Sequence, residues 1–251
     1  LHDALPRSEE RRVGKECSPW IAGLGAFLAI ILTKGLFGGL GYNIFNPALI
    51  GRAILMASFP VAVTTLWLTP KLGNFLSFDA TTTATPLAIL KERGLDAAIA
   101  SFQKLPDQWD YILRMLVGLR PGSIGEISTV FVLLGAGFLF YKRIIKLAIP
   151  LSVIAGVAIM SFFSPSPFLF NFGGGLWLGA FYMATDYVTS PTTTTGQIVF
   201  GLGIGILTGV IRLWGGYPEG ICYAILLMNL LAPALNDWFR PKRVFAQGAP
   251  S

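Results

Sequence analysis

The sequence predicts an all-α, polytopic integral membrane helix bundle with short or broken helices and one longer loop outside the membrane. Three observations carry that expectation. Of the 251 residues, 53% are hydrophobic and only 13% charged, whereas soluble domains carry roughly a quarter charged residues to wet their surfaces. The apolar residues gather in stretches of roughly 18–22, the length that crosses a bilayer core. The 19 Lys and Arg are scattered along the chain, which argues against a nucleic-acid partner, whose footprint is a clustered basic face. A single histidine, His2, and two cysteines, Cys17 and Cys222, exclude a multi-histidine, zinc or iron–sulfur site built within the chain.

The elements follow in order. Residues 1–17 hold four basic and four acidic side chains and no apolar run, so they lack the apolar core of a signal peptide. Residues 7–17 read as a cloning or assembly scar replacing native sequence, or as a plain solvated polar tail. From Ser18 the character changes, and a membrane domain over 18–244 precedes a short tail, 245–251. Its expected spans lie near 19–37, 47–68, 124–141, 146–163, 172–185, 196–214 and 219–239. Gly38, Gly39, Gly41 and Pro47 interrupt the first pair, and Gly173 to Gly175 open the fifth span. Such breaks are tolerated in a membrane where neighbouring groups re-satisfy the freed backbone. The loop 69–123 contains a Thr-rich stretch, a helix-like run over 86–93 and an amphipathic stretch from Trp109 to Leu119.

Basic residues set the expected orientation. Lys142, Arg143 and Lys146 crowd one short loop, and Arg240, Lys242 and Arg243 follow the last span. Both clusters are expected in the cytoplasm, together with the C-terminus. Counting spans then places the 69–123 loop outside, with 164–171 and Gly215 to Pro218. That loop carries six basic residues and, with Glu126 at its edge, six acidic ones. The net charge of +6 therefore rests on Lys34, Arg52 and the two clusters, less Asp186 and Asp237, all expected on the cytoplasmic side. Arg212 offsets Glu219.

Three constellations could carry chemistry. In Asp79-Ala80-Thr81-Thr82-Thr83-Ala84-Thr85-Pro86-Leu87, Thr85 reads as a helix N-cap with proline at the first helical position. Its hydroxyl sits among unbonded N–H groups, where a phosphate is well held; an ordinary capped turn is the plainer reading. In Gly38-Gly39-Leu40-Gly41-Tyr42-Asn43-Ile44-Phe45-Asn46-Pro47-Ala48, followed by Arg52, two amides three residues apart stand at a Gly-rich break near the inner face. Unwound backbone at that depth lines a cavity or is buried in protein; here the plainer reading is an Asn-capped helix start. The third runs from Met183-Ala184-Thr185-Asp186-Tyr187-Val188-Thr189-Ser190-Pro191 through Gly196-Gln197, Arg212 and Gly215-Gly216-Tyr217-Pro218-Glu219-Gly220 to Asn229. Ionisable Asp186, Arg212 and Glu219 at helix ends are candidate functional groups, although Thr189 and Ser190 can simply cap the next helix. Cys222 reads as a buried thiol, and Trp20, Trp67, Trp214, Tyr217 and Trp238 read as interfacial anchors.

These motifs resemble, in order and over about Ser18 to Val244, a family with two main branches. One is the D subunit of the Rnf electron-transport complex, an ion-translocating ferredoxin:NAD⁺ oxidoreductase; the other is the B subunit of the sodium-translocating NADH:quinone reductase. The Asp-x-x-Thr-x-Ala-Thr pattern is similar to the family's flavinylation motif. The resemblance implies a phosphoester between Thr85 and FMN, made by a flavin transferase outside the cytoplasm, with Asp79 as the motif's acidic residue. The Asn-x-x-Asn-Pro-Ala segment resembles the part of the family associated with a non-covalent riboflavin, which implies roles for Asn43 and Asn46. Asp186 and Glu219 become candidates for coupling electron transfer to Na⁺ or H⁺ transport. Implied partners are the other membrane and peripheral subunits of the complex, including a second subunit with covalent FMN, and membrane lipid. Family members have further N-terminal spans before Trp20, which fits a truncated start. The form Asp-Ala-x-Thr-x-Ala-Thr-Pro-Leu-Ala and the compact 94–123 loop favour the Rnf branch. A secondary transporter or channel would share the broken helices without needing Thr85 in this context, and a non-redox assembly subunit would show neither flavin motif.

Overall fold

The computed structural model describes residues 19–36, 39, 41–60, 67–68, 82–83, 116, 128–164, 171–217 and 219–240. Helix α1, Pro19–Ile30, continues as a π-helical turn over Ile31–Gly35. Helix α2 spans Pro47–Ser58, α3 Thr129–Tyr141 and α4 Ala148–Ser161. The short α5, Leu176–Leu178, runs into a π-helical turn over Gly179–Met183. The two longest, α6 (Thr194–Trp214) and α7 (Ile221–Trp238), are long and apolar enough to cross a membrane. The remaining apolar helices are shorter, in keeping with a bundle of interrupted spans.

Small residues set the packing. A Cβ on Gly205 would stand 2.7 Å from the Cα of Gly156, and one on Gly156 would stand 2.8 Å from the Leu202 carbonyl. The backbones of α4 and α6 therefore touch, the close approach that small residues permit between membrane helices. Ile149 meets Gly201, Gly156 meets Gly205 and Met160 meets Gly209, so these two helices run parallel. Helix α7 runs back against α6, with Met228 on Gly203 and Leu235 near Gly196. Phe200, Ile204, Ala224 and Ile225 are fully buried in the core these helices share, whereas Phe27, Phe131, Phe138, Leu227 and Leu230 project outward, as on a surface built for lipid. Trp20, Trp214 and Trp238 are exposed, as anchors at span ends would be.

The packing defines two ends. At one lie the turn after α3 with Lys142, Arg143 and Lys146, residues 186–193, and Arg240 beyond α7. Arg240, the one residue of the second basic cluster among the described residues, lies at the same end as the first cluster, since α4 starts beside Gly201 and α7 finishes beside Gly196. At the other end lie the 215–220 turn, the end of α4 and residues 171–175.

Two expectations change. The second span does not continue as one helix to 68: α2 stops at Ser58, with Phe59 at φ −131° and ψ 56°. Pro60 follows, and proline disfavours helical geometry in the residue before it. Further on, the backbone forms a short antiparallel ribbon, β1 (Trp67–Leu68) with β2 (Thr82–Thr83), pairing Trp67 with Thr83 and Leu68 with Thr82. The ribbon ties the Thr-rich stretch to the end of the second apolar segment. Secondly, the cap of α6 is neither Thr189 nor Ser190. Thr193 takes it, its hydroxyl accepting from the Gly196 amide at 3.3 Å, two residues past the proline.

Candidate functional site

The start of α2 is built as the sequence suggests. Asn46 sits at φ −65°, ψ 120°, and its Oδ1 accepts from the Ala48 amide at 3.0 Å, with Pro47 opening the helix. Gly39 and Gly41, at φ 103° and 89°, supply the left-handed turns that return the chain from α1, a conformation that glycine adopts without penalty. Asn46 does more than cap. Its Nδ2 donates to the Met183 carbonyl at 3.3 Å, fastening the hairpin to the π-helical turn after α5. Asn43 is also buried, and its Nδ2 donates to the Phe45 carbonyl at 3.1 Å. The plainer reading of Asn46 as a cap therefore holds, with an interhelical tie added.

Helix α2 then runs along α7 in the opposite sense. Cys222 Sγ donates to the Leu49 carbonyl at 3.4 Å, Tyr223 OH donates to the Ala53 carbonyl at 3.5 Å, and Arg52 meets Glu219. Cys222 is buried, as expected of a small apolar-like thiol. Tyr217 packs against Tyr223 with the rings tilted by 34° and 4.6 Å between their centres.

The Arg52–Glu219 ion pair corrects the sequence-based charge placement. Its Nη2–Oε2 distance is 2.7 Å, and the two side chains keep only 23% and 13% of their surface exposed. Arg52, expected with the cytoplasmic charges, thus shares the end of the bundle that carries Glu219. It is α2's late start that brings this about: only six residues separate Asn46, itself tied inside the bundle, from Arg52, which α-helical rise turns into about 9 Å. Arg212, expected merely to offset Glu219, instead gathers main-chain carbonyls. Its Nε donates to Glu219 at 2.8 Å, Nη2 to Gly173 at 3.3 Å, and Nη1 to Asn171. One guanidinium thereby joins the end of α6, the approach to α5 and the turn before α7. Gly220, at φ 70°, completes that turn.

Asp186 lies at the opposite end from Glu219. Its Oδ1 accepts from the Val188 amide at 3.4 Å and its Oδ2 from the Thr189 hydroxyl at 3.2 Å. The same segment is held to the far end of α7, where Thr192 donates through its amide (2.9 Å) and hydroxyl (3.1 Å) to Asn236 Oδ1. The 18 residues of α7 put about 27 Å between its ends, so the two acidic candidates do not form one site. Thr85 and Asp79 lie outside the described residues, as do the 86–93 run and all of the 109–119 stretch except Leu116.

One polar residue that sequence reasoning named without a role stands out. Asn229, in the middle of α7, is 1% exposed, and among the described residues neither its Oδ1 nor its Nδ2 has a hydrogen-bond partner. The legible signal was an asparagine inside an apolar span with proline four residues on.

Comparison with known proteins agrees with the motifs. A model of the NQR2, RnfD, RnfE family matches residues 13–245. A relative in Clostridium ljungdahlii, named as the D subunit of a proton-translocating ferredoxin:NAD⁺ oxidoreductase complex, is 47% identical over 231 residues, covering 89% of this chain and 68% of its own. One in Acetobacterium woodii, named as the D subunit of the Na⁺-translocating ferredoxin:NAD⁺ oxidoreductase complex, is 42% identical over 90% of this chain and 66% of its own. A Halorhodospira halophila relative, the D subunit of an ion-translocating oxidoreductase complex, is 36% identical over 92% of this chain and 71% of its own. The chain belongs to the NQR2, RnfD, RnfE family.

Proposed function

We propose that this family member is the membrane-embedded, flavin-carrying D subunit of an Rnf-type ion-translocating ferredoxin:NAD⁺ oxidoreductase, not catalytic alone but one station of a redox-driven pump. The observation that carries the reading is the 47% identity, across 89% of the chain, to a subunit of that name, together with the Asp79-to-Thr85 motif. FMN is held covalently on the Thr85 hydroxyl, with Asp79 completing the sequence that the flavin transferase recognises. A non-covalent riboflavin is seated near Asn43 and Asn46. Bound flavin supplies one- and two-electron redox chemistry that no side chain offers; the protein supplies position and hydrogen bonds.

The residues present suit such a guest. Asn46 spends Oδ1 and one Nδ2 hydrogen on holding α2 and the Met183 turn, which fixes its amide rigidly and leaves a second lone pair and a second hydrogen to offer. Asn43 stands three residues before it, buried on the same loop. Relatives are named for both proton and Na⁺ transport, and either cation serves this proposal. The subunit sits in a bacterial or archaeal cytoplasmic membrane beside the other Rnf subunits, with the 69–123 loop outside and the Lys142 and Arg240 end inside.

The test is in-gel flavin fluorescence of the denatured protein, expressed with the flavin transferase. Fluorescence in the wild type that vanishes in Thr85→Ala supports the assignment. A dark wild-type band returns the chain to the transporter reading.

A further inference from the structure

We propose that Asn229 is a third amide of the non-covalent flavin's seat, pairing its carboxamide with the imide edge of the isoalloxazine ring; the inference rests on the second-flavin reading above. It starts from an imbalance. Among the buried side chains described, Asn229 alone leaves two polar atoms, a nitrogen donor and an oxygen acceptor, without partners. An unsatisfied buried polar group is destabilising, and water is scarce at the middle of a membrane span. Pro233 adds to the imbalance, because it has no N–H to give the Asn229 carbonyl one helical turn earlier. Leucine at this position would remove the amide's cost, so an asparagine calls for a partner that the described residues do not supply.

Register says where that partner sits. Arg52 lies opposite Glu219 and Leu49 opposite Cys222. Three residues back along α2 thus advance three along α7. The same progression sets Asn46, the cap of α2, near Ile225, one helical turn before Asn229, with Asn43 on the loop that leads into it. Asn229 is also seven residues beyond Cys222, two helical turns along the stripe that α7 shows to α2. Met228 faces the other way, onto Gly203 of α6. A second route gives the same level: Gly179 packs on Ile221, and Met183, whose carbonyl holds Asn46, is one turn deeper.

The chemistry names the ligand's edge. Adjacent acceptor and donor on one planar carboxamide match an N–H flanked by a carbonyl, which the pyrimidine ring of a flavin presents and a quinone lacks. Asn229 is 1% exposed, so seating the ring requires the side chains packed around it to shift.

The experiment uses the assembled, detergent-solubilised complex. Acid-released, non-covalent flavin is measured first. The stripped complex is then titrated with riboflavin and with N3-methylriboflavin, whose imide cannot donate. One hydrogen bond of ordinary net strength corresponds to about a tenfold change in affinity. Wild type is expected to bind the methylated flavin about tenfold more weakly. Asn229→Leu should lose a similar factor for riboflavin and no longer discriminate between the two, while Thr85-linked fluorescence stays constant. Equal binding of both flavins by the wild type, which needs no variant, overturns the assignment. So does Asn229→Leu that binds riboflavin like the wild type and still discriminates. Wild-type complex that releases no non-covalent flavin overturns the second-flavin reading itself.

Discussion

The two ends of the bundle use positive charge in opposite ways. At the end with the 142–147 turn, Lys142, Arg143 and Lys146 are exposed, and Lys142 leans over the Phe138 ring at 5.8 Å. At the end with the 215–220 turn, Arg212 and Arg52 are half-buried and committed, one to three carbonyls and the other to Glu219. Exposed cations are free to read the membrane potential and the headgroups, and so set orientation. Committed cations set geometry. A count of basic residues treats the two alike, which is why it misplaced Arg52.

Breaking the committed end carries the largest expected effect. Arg212→Ala strands carbonyls at Asn171, Gly173 and Glu219 and removes the link between α6, α5 and α7. We expect a loss of roughly 3 kcal/mol or more, on the scale of breaking a buried charged network, seen as a collapsed melting temperature or failed assembly in detergent. Arg212→Lys should recover little of it, since an ammonium lacks the planar fork that reaches several acceptors at once. Full recovery by lysine would show that only the charge matters there.

Next is the Arg52–Glu219 pair. Each single change, Arg52→Ala or Glu219→Gln, should cost about 1–3 kcal/mol, because the remaining partner is only partly reachable by water. The double variant should cost clearly less than the sum, a coupling measured by a double-mutant cycle. Additive losses would mean that the two act independently. The same variants separate two roles for Glu219. If it is a latch, Glu219→Gln proteoliposomes that still assemble transport ions per electron as the wild type does. If it carries the ion, that ratio falls.

Most of the architecture was legible because membrane spans announce themselves by length and apolarity, and caps by local chemistry. Asn46 and Pro47 predicted the start of α2, and the Gly-rich breaks predicted where helices interrupt. What escaped was anything decided by a partner distant in sequence. Arg52 and Glu219 are 167 residues apart, and span counting put them on different sides because it assumed that α2 begins at the membrane face. Asn46 tied to Met183 shows that it begins deeper. Asn229 looked like one polar residue among several until the described residues around it proved to offer its amide no partner. The Thr193 cap was missed for a subtler reason: proline marked a boundary two residues early, and a nearer carboxylate, Asp186, had claimed the Thr189 hydroxyl.

At the exposed end the expected stability effects are small and the expected topological effect is large. Replacing Lys142, Arg143 and Lys146 by glutamine should change stability within about 0.5 kcal/mol, as for surface substitutions in general. Cysteine-accessibility labelling of the 69–123 loop should nevertheless show a mixed orientation. An unchanged single orientation would assign the signal to the cluster at residues 240–243 alone.

Arg143 allows the finest cut, because backbone and charge can be separated there. It sits at φ 56° in a turn that closes α3, with its amide donating to Phe140 at 2.9 Å and that of Ile144 to Leu139 at 3.0 Å. This is a Schellman-type end, whose left-handed position ordinarily falls to glycine. An arginine tolerates that conformation at a cost of about 1 kcal/mol. Arg143→Gly should therefore raise stability by about 0.5–1 kcal/mol while weakening the orientation signal by one charge. Arg143→Gln keeps the strained backbone and loses only the charge. A variant pair that differs in melting temperature but not in labelling would show that the cation stays for orientation at a conformational cost. Equal melting temperatures would show that this turn carries no strain.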